Sequence, residues 1–192
     1  MIAGIETIHP KKLVGTKLIM SFYDDRTFDL WRGFMPRRKE ISDVEGTDLF
    51  SLQLYSPRFF EYFNPEKKFE KWAAVAVSSF NNIPDGMSAL EIPGGMYAVF
   101  TYHGLPGDAS ETFRYILQDW IPASGYLPDE RYHFEVLGEI IELMSPKSMI
   151  TPITMYQYQW LTFAGNFIEN SRSINFCKTT VNFYFGLCER GD

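Results

Sequence analysis

The order of predicted secondary structure repeats along this 192-residue chain, and that repeat constrains the fold more than any other feature. In the first half, the apolar stretch KKLVGTKLIMSF predicts a strand. The next stretch, TFDLWRGFMPRR, predicts a helix, because its large apolar residues recur at helical spacing up to a proline. LFSLQLY and KWAAVAV then predict two more strands, so the order is strand, helix, strand, strand.

The second half repeats this order. After a Pro-Gly-Gly turn, MYAVFTY predicts a strong strand. Asp108 and Glu111 have the spacing of a helix capping box. An apolar stripe at helical spacing follows them: Phe113, Ile116, Leu117, Trp120 and Ile121. RYHFEVL predicts the next strand. The sequence therefore predicts an α+β fold made of a duplicated strand-helix-strand-strand module, in which an antiparallel twisted sheet carries helices on one face and a ligand groove on the other.

Alternation along the strands predicts which side chains line that groove. If the helices cover the more apolar side of each strand, the helix-facing set is Phe50, Leu52, Leu54, Phe134 and Val136. The groove-facing set is then Ser51, Gln53, Tyr55, His133 and Glu135. Trp72 and Tyr97 are further candidates for the groove walls, although both faces of their strands are apolar. We therefore expect a groove lined by Tyr55, Glu135, Trp72 and Tyr97.

Composition and charge narrow the classes of partner. Hydrophobic residues make up 45% of the chain and charged residues 22%, as in ordinary globular domains. The formal net charge is −6, and the single tight basic cluster, MPRRKE, is too short to follow a phosphate backbone. Direct binding of nucleic acid is therefore not expected.

The sequence gives no support for secretion, for a membrane span or for a metal site. The first residues have neither the basic nor the apolar part of a secretory signal, and no apolar run is long enough to span a membrane. Cys177 and Cys188 have no metal-ligand spacing around them, and no ligand cluster accompanies His103 or His133. We expect a cytoplasmic protein without a metal site or a cofactor.

Four stretches together carry a resemblance to a known family: LWRGFMPRRKEI, KKFEKWAAVAV, IPDGMSALEIPGGMYAVFTYHG and SGYLPDERYHFEVLGE. They resemble the GyrI-like small-molecule-binding family, which has the same fold as the effector-binding domain of AraC-type regulators. The resemblance runs from about Lys11 to Glu139. It implies a central groove that binds apolar, often cationic, aromatic compounds, with a glutamate among the pocket aromatics at the position of Glu135.

Glu135 is the residue on which the site prediction depends most. A carboxylate among aromatic faces is partly desolvated, so a cationic aromatic ligand would gain from both charge pairing and stacking. Tyr55, Trp72 and Tyr97 are the candidate stacking walls. The alternative interpretation is an exposed strand glutamate, with the aromatic residues in ordinary sheet packing.

After Glu139 the chain departs from the family's pattern. We divide it into a GyrI-like effector-binding domain at 1–144 and an atypical C-terminal extension at 145–192. In one interpretation TMYQYQWLTF supplies the last strand and the extension packs on the body or forms a homodimer. In the other, the extension is poorly folded and aggregation-prone, since VNFYFGLC has strong β-propensity and no charge.

Three functions remain open on the sequence alone. The first is a stand-alone binder of amphipathic or cationic aromatic small molecules, active in sensing, sequestration or drug tolerance. The second is a hydrolase of strained electrophilic genotoxins, which the resemblance implies for some family members, with Glu135 as the general base. The third is a protein interaction module similar to a topoisomerase inhibitor.

Overall fold

The computed structural model describes residues 2–56, 59, 64–104, 112, 115–129, 131–137 and 179–189. Nine strands lie in these residues: β1 Ile2–Ile8, β2 Lys11–Met20, β3 Val44–Leu54, β4 Phe69–Val77, β5 Ser88–Ile92, β6 Gly95–Gly104, β7 Tyr126–Pro128, β8 His133–Leu137 and β9 Thr179–Glu189. The first helix, α1, spans Thr27–Arg37 and runs into a 3-10 turn at Arg38–Glu40. A π-helical segment at Tyr115–Trp120 continues into the short helix α2 at Ile121–Ala123.

The strands form an antiparallel sheet with twofold pseudo-symmetry. Their order is β1-β6-β9-β8-β3-β4-β2-β5, and β7 pairs with β9 at the side. Exchanging β2 with β6, β3 with β8, β4 with β9 and β1 with β5 reproduces this order from the other end. The predicted α+β class and duplicated module are therefore confirmed. The two halves meet where β3 pairs with β8, in the middle of the sheet.

The helical residues pack on the sheet through the predicted apolar stripes. Leu30 and Phe34 of α1 are buried, and Pro36 lies inside the helix, which ends one residue later. In the second half Ile116 and Ile121 are buried. The predicted capping residues, Asp108 and Glu111, and Phe113 of the stripe lie outside the described residues. No helix in the described part of the chain is long and apolar enough to cross a membrane.

Buried residues form two clusters, one on each face of the sheet. The face on which α1 packs, called the helix-side face, has a core that includes Leu30, Phe34, Leu49, Ala73, Val75, Ala98, Phe100, Leu137 and Phe183. The other side, called the opposite face, has a core that includes Leu13, Phe50, Leu52, Trp72, Ala74, Tyr97, Val99 and Phe134. Both faces therefore bury apolar side chains, although the helices lie on one of them.

The facing of the central strands is the reverse of the predicted one. Phe50, Leu52 and Phe134 belong to the opposite-face cluster, and Val136 packs against it. The physical reason is that this face needs no helix to be buried: Ile8, from the end of β1, packs there together with residues of β5. Assigning the more apolar side to the helices therefore gives the wrong result.

The strand β9 comes from the region assigned to the C-terminal extension. It pairs with β6 along one edge and with β8 along the other. Arg131 helps to hold it, because its guanidinium donates to the carbonyls of Met96 and Leu187 at 2.9 Å and to the Asp129 carboxylate at 2.6 Å. The stretch TMYQYQWLTF, predicted as the last strand, lies outside the described residues, whereas VNFYFGLC forms most of β9.

Candidate functional site

Polar side chains meet at the centre of the helix-side face. Ser51 of β3 pairs with Ala73 of β4 on one side and with Glu135 of β8 on the other. Directly paired residues in a sheet point to the same face, and Ala73 belongs to the helix-side core. Glu135 in turn pairs with Phe183 of β9. The carboxylate of Glu135 therefore lies on the side of the helices, where the two halves of the fold meet.

A second row of polar residues runs beside the first. Gln53 of β3 pairs with Lys71 of β4 and with His133 of β8. Lys71 is fully buried, with none of its surface exposed, and Gln53 and Glu135 are each 6% exposed. Ionised and polar groups are costly to bury unless hydrogen bonds or opposite charges compensate them. This cluster of Lys71, Gln53, Ser51 and Glu135 is called the central polar cluster.

Hydrogen bonds satisfy only part of the central polar cluster. The Gln53 amide places its oxygen toward the Lys71 ammonium and donates from its nitrogen to the His133 carbonyl at 3.2 Å. The reverse amide orientation would let this nitrogen reach Glu135 Oε1 at 3.3 Å, but it would also put two donors, Gln53 and Lys71, face to face. Within the described residues, Glu135 Oε2 and Ser51 Oγ are buried without a hydrogen-bond partner.

Aromatic rings surround this row of polar groups on the helix-side face. The imidazole of His133 lies 5.2 Å from the Phe185 ring and 6.4 Å from the Tyr55 ring, centroid to centroid. Tyr55 in turn contacts Phe59 at 4.7 Å and Phe69 at 5.2 Å. Such rings offer both apolar area and negative faces to a flat or cationic ligand.

Burial shifts the pKa of two groups in this region. It lowers the pKa of Lys71, against the opposing fields of the Glu135 and Asp25 carboxylates. It also lowers the pKa of His133 to about 4, slightly opposed by Asp129. His133 is therefore neutral near pH 7, and the ionisable groups buried near it on the same face are the amine of Lys71 and the carboxyl group of Glu135.

The structure brings two of the four predicted site residues to one face and separates the other two. Glu135 and Tyr55 lie on the helix-side face. Trp72 belongs to the opposite-face core, where its Nε1 donates to Glu70 at 2.6 Å. Tyr97 lies in the same core, and its hydroxyl donates to the Pro93 carbonyl at 2.9 Å. The structure therefore does not bring Trp72 and Tyr97 to the face that carries Glu135, because alternation points them to the other side.

Sequence reasoning missed Lys71. A lysine at the start of KWAAVAV is normally assigned to a solvated strand end. The available signal was its parity: Phe69, Ala73 and Val75, at steps of two from Lys71, are all apolar and share its face. A lysine within such a series on a strand that is apolar on both sides indicates a buried amine.

Most of the chain matches the model of one protein family. Residues 2–156 match the family described as Cass2, integron-associated effector-binding proteins. The chain belongs to this family. The match continues past Glu139, where the GyrI-like pattern was expected to stop. This is a family of effector-binding domains, consistent with the small-molecule-binding fold inferred from the sequence.

Similar proteins include a transcriptional regulator and two solved structures. The regulator BrlR of Pseudomonas aeruginosa is 27% identical over 123 residues, which are 64% of this chain and 43% of that protein. The integron cassette protein VCH_CASS2 of Vibrio cholerae has a TM-score of 0.57 at 10% identity, over 97% of this chain and 95% of that one. The structure of SAV2435 bound to tetraphenylphosphonium has a TM-score of 0.53 at 13% identity, over 98% and 94% of the two chains. These two structures share the fold, and this chain spans less than half the length of BrlR.

Proposed function

We propose that this protein binds an amphipathic aromatic small molecule, and that a cation or donor of that molecule pairs with Glu135 on the helix-side face. The observation that carries the proposal is the Oε2 atom of Glu135, which is buried without a hydrogen-bond partner in the described residues. A buried carboxylate oxygen in this state is costly. A ligand donor would compensate it.

The surroundings of Glu135 favour an aromatic ligand over a small polar one. The rings of Tyr55, Phe185 and Phe183 lie on the same face, and the neutral imidazole of His133 stands beside them. A flat cation would gain from their faces as well as from the carboxylate. Membership of an effector-binding family supports this interpretation, and so does the tetraphenylphosphonium bound to the similar SAV2435 structure.

The biological role that we infer is effector sensing, sequestration or drug tolerance. BrlR, a transcriptional regulator, is more than twice as long as the segment that it shares with this chain. A unit of this kind could therefore bind its effector alone or as part of a larger regulator. The binding chemistry at Glu135 would be the same in both arrangements.

Titration with a charged and a neutral ligand tests the proposal. Tetraphenylphosphonium is the cation, and triphenylphosphine oxide, which keeps three of its four phenyl rings, is the neutral analogue. We expect Glu135→Gln to weaken binding of the cation by at least about tenfold, because the substitution removes the charge but keeps the shape. Binding of the neutral analogue should change by no more than about twofold. Isothermal titration calorimetry measures both affinities.

Glu70→Gln is the matched control. Glu70 is also a strand carboxylate, but it accepts from Trp72 Nε1 and pairs with Lys17, so both of its roles lie away from Glu135. This variant should bind both ligands as the unchanged protein does. Equal losses for cation and neutral analogue in Glu135→Gln would contradict charge pairing, and so would a loss of the same size in Glu70→Gln.

A further inference from the structure

Lys71 is the unusual member of the central polar cluster. It is the one lysine or arginine among the buried residues of the described chain, and none of its surface is exposed. Lysine is almost never fully buried without compensation. Its position is fixed by pairing on both sides, with Gln53 of β3 and with Leu18 of β2. The ammonium group is therefore built into the sheet at this place.

Two carboxylates act on the amine of Lys71, and each has a buried oxygen that accepts no hydrogen bond in the described residues. Glu135 and Asp25 both favour the charged ammonium. In the described residues Oε2 of Glu135 and Oδ2 of Asp25 are buried without a hydrogen-bond partner, and with the Gln53 amide oxygen turned toward Lys71, Oε1 of Glu135 receives no donor from Gln53 either. The hydrogen bond that Lys71 makes goes to the Gln53 amide instead. The ammonium thus lies in the field of Glu135 while leaving the carboxylate oxygen open to another donor.

We propose that Lys71 is a specificity-determining residue of the effector site: a built-in cation that competes with a cationic effector for the field of Glu135. This inference rests on the proposed function, since it assumes that the effector pairs with Glu135. Two positive charges close to one buried carboxylate repel each other. Lys71 therefore lowers the affinity for permanent cations and reduces the preference for them over neutral ligands of the same shape.

Proton release is the second consequence. A cation that pairs with Glu135 removes part of the stabilisation of the Lys71 ammonium, so binding lowers the pKa of Lys71 further. The charged groups that act on Lys71 are Glu135 from β8 and Asp25 ahead of α1. His133 pairs with Gln53, the neighbour of Lys71 in the sheet, and Tyr55 lies against His133. His133, with a pKa of about 4, is already neutral and has no proton to lose at neutral or alkaline pH.

Four proteins and the two ligands test the competition. The proteins are the unchanged chain, Lys71→Met, Glu135→Gln and the double variant. We expect Lys71→Met to strengthen binding of tetraphenylphosphonium by about tenfold and to change binding of triphenylphosphine oxide by less than about twofold. In the presence of Glu135→Gln, the gain from Lys71→Met should become smaller, because loss of the carboxylate favours the neutral amine of Lys71 and so weakens its repulsion of the cation.

The outcomes separate the inference from the proposed function. In one outcome, Glu135→Gln weakens binding of the cation while Lys71→Met leaves the affinity for the cation unchanged or lowers it. In that case the role proposed for Lys71 is wrong, and the proposed function stands. If neither the unchanged protein nor Lys71→Met binds the cation, or if Glu135→Gln has no effect, the proposed function itself is wrong. A gain from Lys71→Met that is as large in the Glu135→Gln background as in the unchanged protein also contradicts coupling through Glu135.

A measurement without ligand keeps the inference testable if Lys71→Met does not fold. The side-chain amine of Lys71 can be titrated by NMR in the unchanged protein and in Glu135→Gln, with the carbon next to the amine as the probe. We expect Glu135→Gln to move the deprotonation of Lys71 to lower pH, because it removes a carboxylate that favours the ammonium. If Lys71 titrates at the same pH in both proteins, Lys71 and Glu135 are not coupled and the inference fails.

Discussion

Both faces of this sheet bury aromatic side chains, but they differ in the hydrogen bonding of their buried polar groups. On the opposite face, the indole of Trp72 and the hydroxyl of Tyr97 each have a hydrogen-bond acceptor, at 2.6 and 2.9 Å. On the helix-side face, Glu135 and Ser51 keep buried oxygens without a partner in the described residues. Oδ1 of Asn182, which pairs with Val136, is also buried without a partner in the described residues, but it lies alone on the opposite face, whereas Glu135 and Ser51 are directly paired. Buried polar groups are normally satisfied, so the paired exceptions favour the helix-side face as the place of the site.

The position of this difference follows from the topology. The central polar cluster lies where β3 pairs with β8, which is the line along which the two halves of the fold meet. A site at such a line can draw residues from both halves: Lys71 and Gln53 from the first, and Glu135 and His133 from the second. The opposite face at the same line is filled by Phe50 and Phe134, whose rings lie 6.4 Å apart.

The largest expected effect is on the opposite face, at Phe134. Its side chain is 4% exposed, and its ring stacks on Tyr184 at 4.4 Å and meets the edge of Tyr97 at 5.6 Å. Phe134→Ala should lower the free energy of unfolding by about 3–5 kcal/mol, because it leaves a cavity in a packed core. Urea denaturation followed by fluorescence measures this loss.

The same variant sharpens the comparison of the faces. Phe134 is adjacent to Glu135 in sequence but points to the other side of the sheet. Tetraphenylphosphonium affinity of the folded variant should stay within about twofold of the unchanged value. A large loss of affinity at full folding would show that the opposite face takes part in binding, and the division between the faces would fail.

The sequence could predict much of the fold because its signals are local. Alternating strands, the apolar stripe through Ile116 and Ile121, and the repeated element order indicate a duplicated α+β module, and the structure has it. The side of the sheet that faces the helices is not a local property. It depends on the curl that closes the opposite face around Trp72 and Phe134, and a strand that is apolar on both sides does not encode it.

The residues of the candidate site were predictable only where the signal was local in the sequence. Glu135 and Tyr55 could be singled out because a carboxylate and a tyrosine stand at alternating positions beside apolar neighbours. The alternation around Lys71 also carries a signal of burial, but the partner of Lys71 could not be found in this way, because Gln53 is distant in sequence and meets it only through the register of β3 and β4. Charge compensation of a buried lysine is a tertiary property, so it became visible only in the structure.

A smaller effect is expected from the imidazole of the helix-side face. The pKa of His133 falls from 6.5 to about 4 on folding, so between these pH values the unfolded chain binds a proton that the folded chain does not. The contribution of His133 to the free energy of unfolding is therefore fully present above pH 6.5 and is lost as the pH falls toward 4. We expect the loss to be on the order of 2 kcal/mol, and absent in His133→Phe, which keeps an aromatic ring.

Urea denaturation over this pH range measures the difference between the two proteins. Carboxylates that titrate in the same range are common to both and cancel. His9→Phe is the control, because His9 is exposed. If His133→Phe loses stability with falling pH as steeply as the unchanged protein does, the imidazole is not buried in the apolar surroundings that distinguish the helix-side face.

The smallest effect is expected at Lys17, the counterpart of Lys71 on the opposite face. Lys17 pairs with Trp72 across β2 and β4, one residue from Lys71. Its ammonium lies 2.9 Å from the Glu70 carboxylate and 5.0 Å from the centre of the Trp72 ring, with 43% of its side chain exposed. Exposed ion pairs contribute little, so Lys17→Met should lower the free energy of unfolding by less than about 1 kcal/mol.

Lys17→Met also separates position from net charge. It removes the same charge from the same strand pair as Lys71→Met, so each variant makes the net charge more negative by one. If overall charge set the affinity for tetraphenylphosphonium, both variants would strengthen binding alike. If the field at Glu135 sets it, Lys17→Met leaves the affinity unchanged, because Lys17 is partly exposed, screened by water and paired with Glu70 on the other face. Calorimetric titration of the two variants side by side therefore decides whether the two faces of one sheet differ in function or only in composition.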